Sequence, residues 1–318
     1  MARATPTLDL RVADRHKAAD GVVALELVRL DGGELPAWEP GAHIDLHLKP
    51  GLTRQYSLCG DPNDRARWRI AVLREPEGRG GSAFVHDELV RDSVVTAGEP
   101  LNKFALEPAS RYIFIAGGIG VTPILAMARS ERAASTDWEL HYGGRNTRSM
   151  AFTDEVVEFG GHRVTLYPQD QVGLLDLEKI LAMPRPGTLV YCCGPQPLLD
   201  AVEQQCRTWP HGHLRVERFQ PKDIADLTQD GNFEVELRDS RITVQVQAGE
   251  SVLDAVRAAG VPVVSSCEEG TCGTCEVAVL EGEVEHRDSI LSEDEQAAND
   301  TMFICVSRAR CPRLVLDL

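Results

Sequence analysis

Cys267, Cys272 and Cys275 form a C-x4-C-x2-C array, and Cys305 follows with 29 residues between it and Cys275. Thiolates are soft ligands, and this three-plus-one spacing is the plant-type pattern for a [2Fe–2S] cluster. Small residues in the loop (Gly270, Thr271, Gly273, Thr274) let backbone curl around inorganic sulfide. The competing readings are a C-x-x-C redox pair, a zinc site and buried apolar thiols. A redox pair needs a helix start, whereas an alternating strand follows here, and zinc ligands usually come two by two. The apolar run from Met302 to Val306 reads as a strand carrying the fourth ligand.

Two further segments suit nucleotide binding. Residues 112–123, Y-I-F-I-A-G-G-I-G-V-T-P, read as strand, glycine loop and helix start. Gly117, Gly118 and Gly120 permit close backbone approach, Thr122 is placed to cap the helix, and Pro123 suits its first position. Free amides at such a start receive a pyrophosphate, although a plain tight turn has the same composition. The third glycine of a Rossmann fingerprint is absent. Tyr191-Cys-Cys-Gly-Pro repeats the design, placing Cys193 and Gly194 at a second strand end. Cys193 is either a ligand contact there or an ordinary buried thiol. In a parallel sheet both loops emerge where ligands bind.

Arg54-Gln-Tyr-Ser-Leu sets a cation, an aromatic and a hydroxyl in one strand, with Arg54 and Tyr56 on one face and Ser57 on the other. That combination suits a flavin nucleotide. Gly80-Gly81-Ser82 before a helical stretch, 83–89, is a second phosphate cradle. Beyond the strand Trp138–Tyr142, Arg145 and Arg148 stand where an acidic residue would select NADH, and two arginines would instead accept the 2′-phosphate of NADPH.

Three blocks must position these groups. Up to residue 106, short alternating segments (22–27, 43–48) are punctuated by Gly/Pro clusters, as in an antiparallel barrel. Residues 107–222 alternate strands with helices (112–116 then 123–132, 189–193 then 197–207), which predicts a parallel α/β sheet. A polar stretch, 220–231, reads as a linker. Residues 223–318 open with strands at 233–237 and 241–246, then a helix capped by Ser251, with Asp254 three residues on and Gly260 as its stop.

At 318 residues the chain exceeds one core. Its 43% apolar and 26% charged composition fits a globular protein, without a membrane span or signal-peptide core. Nine cysteines over such length argue against a disulfide framework and for the cytoplasm. The net charge is −16, and residues 223–318 hold 7 Lys+Arg against 20 Asp+Glu, so acidity gathers around the cysteine array. This is either a solvated surface or a docking face for a basic partner, and it disfavours nucleic acid.

In order and spacing, R-Q-Y-S-L, G-R-G-G-S, A-G-G-I-G-V-T-P-I-L, Y-C-C-G-P, the cysteine loop and the closing S-R-A-R-C-P-R-L-V-L-D-L resemble the phthalate dioxygenase reductase family over essentially the whole chain. Vanillate demethylase and carnitine monooxygenase reductases are similar members. The resemblance implies an FMN-binding β-barrel (1–106), an NAD-binding α/β domain (107–222) and a β-grasp ferredoxin domain (223–318). It implies Arg54, Gly80, Gly81 and Ser82 at the FMN phosphate, and Tyr56 and Ser57 at the isoalloxazine. Thr122 would lie near flavin and nicotinamide, Cys193 against the nicotinamide, and Phe219 beside the flavin toward the cluster, unless Phe219 is core packing. FMN is expected over FAD, and NADH over NADPH. Nicotinamide gives two electrons at once and a [2Fe–2S] cluster takes one, so a flavin must stand between them. No general acid or base is needed, and His86 is read as structural. The implied acceptor is a separate Rieske-type terminal oxygenase docking near the acidic domain. Other readings are a P450, cobalamin or ferric acceptor, or a non-enzymatic redox sensor or cluster scaffold.

Overall fold

The computed structural model describes residues 6–133, 136–222 and 231–318, so residues 223–230 of the linker reading lie outside the described residues. The chain divides into two compact units, Pro6–Glu217 and Arg218–Leu318.

The first unit begins with seven antiparallel strands: β1 (Thr7–Ala19), β2 (Val22–Arg29), β3 (Ala42–Lys49), β4 (Leu52–Ser57), β5 (Trp68–Leu73), β6 (Val94–Gly98) and β7 (Leu101–Asn102). They run in the order β4-β3-β6-β1-β2-β5, with β7 on β3. The two ends meet just past β4, where the Cys59 amide donates to the Arg69 carbonyl of β5 at 2.9 Å, closing a barrel. Inward positions alternate along each strand, so Leu25, Leu27, Ile44, Leu46, Trp68 and Ile70 fill its interior. Helix α1 (Gly81–Asp87) follows β5.

The same unit continues as a parallel sheet: β8 (Arg111–Gly117), β9 (Asp137–Gly144), β10 (Val164–Pro168), β11 (Thr188–Cys193) and β12 (Leu214–Glu217). Helices α2 (Val121–Ala133), α3 (Thr153–Gly160), α4 (Gln169–Val172), α5 (Leu177–Ile180) and α6 (Gln196–Gln205) connect the strands. The order β10-β9-β8-β11-β12 reverses direction between β8 and β11. A crevice for ligands opens at such a reversal, outside the strand carboxyl ends. Barrel and sheet share one apolar core, in which Ala24, Cys59 and Ala71 meet Phe114, Val121 and Ile124. Arg69 of β5 reinforces the joint, donating twice to the Glu155 carboxylate of α3, each at 2.9 Å. Arg129 of α2 donates to the same carboxylate.

The second unit holds β13 (Phe233–Leu237), β14 (Ile242–Val246), β15 (Glu276–Glu281), β16 (Val284–Glu285), β17 (Thr301–Phe303), β18 (Arg308–Ala309) and β19 (Arg313–Leu316), with helices α7 (Val252–Ala258) and α8 (Glu293–Ala298). Its mixed sheet, β14-β13-β19-β15-β17, pairs β13 with β19 in parallel and grips α7 as a β-grasp does. The capping signals of α7 are met: Ser251 Oγ accepts from the Asp254 amide, and Gly260 takes φ +77°. The amides of Gly260 and Val261 return to the Arg257 and Val256 carbonyls, completing a Schellman stop.

Two local expectations are corrected. Helical structure starts before Thr122, as a 3₁₀ turn over Gly118–Gly120, with Val121 opening α2. Thr122 therefore lies inside the first turn and does not cap it; its hydroxyl donates to the Ile119 carbonyl at 2.9 Å. Cys305 lies in a turn just past β17, because the Val306 and Ser307 amides fold back onto the Phe303 carbonyl.

Candidate active site and metal centre

The cysteine loop winds through left-handed backbone at Glu268 (φ +57°), Gly270 (+70°) and Gly273 (+80°). Such turns aim successive amides inward. The Glu269 and Thr271 amides point at Cys267 Sγ, at 3.3 and 3.5 Å. Gly270 is compulsory: a Cβ there would lie 2.7 Å from Val306 and 3.1 Å from Asp288. All four thiols are buried. The Cys272 thiol in turn donates to Thr274 Oγ1 at 3.2 Å. The neighbouring Cys272 side chain and the loop amides hold the Cys267 thiol below its usual range, while Cys272 is pushed up. Cys305 likewise lowers Cys275.

At the reversal between β8 and β11, the two glycine loops pack backbone to backbone. A Cβ on Gly120 would meet the Cys193 carbonyl oxygen at 2.3 Å, and one on Gly194 would approach Gly117 Cα at 3.0 Å. Gly118 instead faces open space at φ +54°. The Gly118–Gly120 turn also touches β5, which brings the loop against the barrel. Thr122 and Cys193 are buried beside it. The Cys193 thiol donates to a carboxyl oxygen of Glu217 at 3.8 Å. Burial lifts the Glu217 carboxyl to about 8, and burial together with that carboxyl pushes the Cys193 thiol well up. Glu217 was not singled out from the sequence; its place at the end of β12, next to β11, is the signal that finds it.

On the barrel, Arg54 pairs in register with Leu46, Tyr56 with Ile44, and Ser57 with His43. Arg54 and Tyr56 thus share one face and Ser57 the other, as alternation requires. The Arg54 guanidinium donates to the carbonyls of Thr53 (2.7 Å) and Arg79 (2.9 Å), which draws it over the start of α1. There Gly81 leaves it room, since a Cβ would stand 2.4 Å from Arg54 Cγ. Gly80 takes φ +82° with open space around it, and Ser82 Oγ accepts the Glu75 amide at 3.0 Å. The buried Tyr56 hydroxyl has no hydrogen-bond partner among the described residues, an orphan that a polar ligand atom would satisfy. Arg145 and Arg148 are both exposed beyond β9, with Arg148 3.6 Å from Asp20. His86 is structural, its Nε2 lying 2.9 Å from the Val72 carbonyl. Phe219 belongs to the second unit and is 44% exposed.

A closed antiparallel barrel, a reversed parallel sheet with two glycine loops and a β-grasp bearing four buried thiols define a pyridine-nucleotide oxidoreductase with an iron–sulfur module. Residues 114–204 match the oxidoreductase NAD-binding domain family, and residues 235–310 match the 2Fe-2S iron-sulfur cluster binding domain family. The phthalate 4,5-dioxygenase reductase subunit of Pseudomonas putida is 41% identical over 315 residues, covering 97% of this chain and 96% of that protein. The solved phthalate dioxygenase reductase, described as a modular structure for electron transfer from pyridine nucleotides to [2Fe–2S], superposes with a TM-score of 0.70 at 37% identity, covering 98% of each chain. An intact type IV self-sufficient cytochrome P450 monooxygenase superposes with a TM-score of 0.93 at 44% identity; it covers 98% of this chain, which spans 41% of that longer one. The chain belongs to the phthalate dioxygenase reductase family. It is an oxidoreductase with an NAD-binding domain and a [2Fe–2S] domain. Among the described residues no helix is long and apolar enough to cross a membrane.

Proposed function

We propose that this chain is the reductase component of a multicomponent, Rieske-type oxygenase, carrying electrons from NADH through FMN and a [2Fe–2S] cluster to a separate terminal oxygenase. The observation that carries this reading is the set of four buried thiols, inside a matched 2Fe-2S domain, in a chain that matches a dioxygenase reductase from end to end. Cys267 with Cys272 and Cys275 with Cys305 would each hold one iron, and the inward amides would keep the sulfurs charged. Bound FMN would accept the electron pair from NADH and release electrons singly, and the cluster would take them one at a time.

The remaining assignments concern the chain's own residues. Arg54, with Gly80, Gly81 and Ser82, holds the FMN phosphate; Tyr56 and Ser57 satisfy the ring's polar edge. Gly117, Gly118 and Gly120 admit the pyrophosphate, and Thr122, Cys193 and Gly194 line the nicotinamide end. Glu217 orients the Cys193 thiol. Phe219 we assign to the route by which electrons leave the flavin. The functional division is 1–106, 107–222 and 223–318, and nine unbridged cysteines suit a cytoplasmic protein. The acidic surface of the last domain would steer a basic acceptor, an attraction weakened by salt.

A P450 acceptor is the second reading, favoured by the self-sufficient P450 whose chain contains this fold. The test is NADH-driven reduction of purified Rieske oxygenases and P450s under anaerobic conditions. Faster, salt-sensitive reduction of an oxygenase supports the first reading and faster reduction of a P450 the second. A protein that binds neither iron nor flavin would sink both.

A further inference from the structure

Buried Ser289 lies between two parts of the second unit that are distant in sequence. Its amide donates to the Gly270 carbonyl at 2.9 Å, in the loop between Cys267 and Cys272. Its hydroxyl oxygen accepts the Lys222 amide at 2.9 Å, from the segment Arg218–Lys222 through which the chain enters this unit. The turn is held in place from below: Asp288 Oδ1 accepts the amides of Ile290 (2.9 Å) and Leu291 (2.7 Å), and Asp288 backs directly onto Gly270. Ser289 is thus set at a fixed height over the cysteine loop, and Lys222 is set by Ser289. Pro221 and Lys222 in turn form one wall of a 470 Å³ cleft whose lining includes Cys305, Glu268 and Glu269. Three residues upstream of Lys222 stands the exposed ring of Phe219.

From this we infer that Ser289 is a positioning residue for internal electron transfer, pinning the entry segment Arg218–Lys222 to the loop that carries the cysteines. The inference rests on the function proposed above. The two bonds divide the labour. The amide bond to Gly270 belongs to the backbone and survives any side-chain change, whereas the hydroxyl bond ties the Lys222 end of the segment to this turn. Ser289→Ala therefore releases Lys222 and leaves the cysteine loop intact. Ser289→Thr keeps the oxygen.

Stopped-flow absorbance of the reconstituted full chain mixed with NADH separates flavin reduction from the later bleaching of the iron–sulfur bands. In Ser289→Ala, flavin reduction stays at the wild-type rate and cluster bleaching slows by about threefold or more, the loss expected for one neutral hydrogen bond. Ser289→Thr restores it, and iron content and the reduced cluster's electron paramagnetic resonance spectrum match wild type in both variants. Equal bleaching rates in Ser289→Ala and wild type overturn the inference, as does an altered spectrum, which would place the hydroxyl's effect on the cluster itself. If NADH bleaches no iron–sulfur band even in wild type, the proposed function has failed instead.

Discussion

The Cys193 thiol donates to a Glu217 carboxyl oxygen across 3.8 Å, and the two residues are direct partners in the parallel pairing of β11 with β12. The carboxyl is lifted from its usual 4.5 to about 8, chiefly by burial. Below pH 4.5 folded and unfolded chains both carry its proton. Between there and about 8 only the folded chain holds it, so unfolding releases a proton and stability falls as pH rises. Above 8 the penalty is constant. Glu217→Gln removes this slope. Its advantage over wild type in urea unfolding should be negligible near pH 4.5 and grow to a few kcal/mol, roughly, by pH 8.5. An advantage that does not change with pH would refute the buried proton.

Loss of any one of the four thiols should abolish the cluster and spare the chemistry before it. Cys275→Ser and Cys267→Ser are both expected to lack iron–sulfur absorbance and cytochrome c reduction. Both should still reduce ferricyanide with NADH, since the barrel and the parallel sheet are untouched. A variant that keeps full iron content would remove that cysteine from the ligand set.

Arg54→Ala should weaken FMN binding by about 10- to 100-fold, the loss of a charge-assisted contact worth roughly 1.5–3 kcal/mol. Fluorescence titration of the apoprotein with FMN and with riboflavin checks this. FMN affinity should fall while riboflavin affinity holds if the arginine serves the phosphate as proposed. An equal loss for both would move Arg54 to the ring.

Glu155→Ala leaves the Arg69 guanidinium, 14% exposed, without its bidentate carboxylate. Stranding a largely buried charge costs about 2–4 kcal/mol once partial exposure is allowed for. The joint between barrel and parallel sheet should therefore weaken, seen as a lower midpoint of thermal unfolding and faster proteolysis after Asn102. A shift below about 0.5 kcal/mol would mean that the shared apolar core carries the joint alone.

Signals confined to a few neighbouring residues were legible in the sequence. The cap and stop of α7 are local chemistry, and each appears where its residues place it. The start of α2 was misread because Thr122-Pro123 carries the composition of a cap and first turn. The glycines just before it, with Gly118 at φ +54°, wind an extra 3₁₀ turn that composition does not announce. The run Met302–Val306 that carries Cys305 is apolar enough for a strand, yet Phe303 is the last residue to pair with β15. Glu217 carries no local signal at all. It becomes part of the site only through a strand neighbour 24 residues away.

The fused core under Arg69 and Glu155 places both candidate nucleotide loops on a single folded body, while the thiols belong to another. Passing a hydride requires donor and acceptor within about 3–3.5 Å, a tolerance only one scaffold can guarantee. Lone electrons are less exacting and cross wider gaps. The seam after Glu217 therefore makes the outgoing carrier a replaceable part, free to adapt to new customers while the fuel-burning end stays tuned.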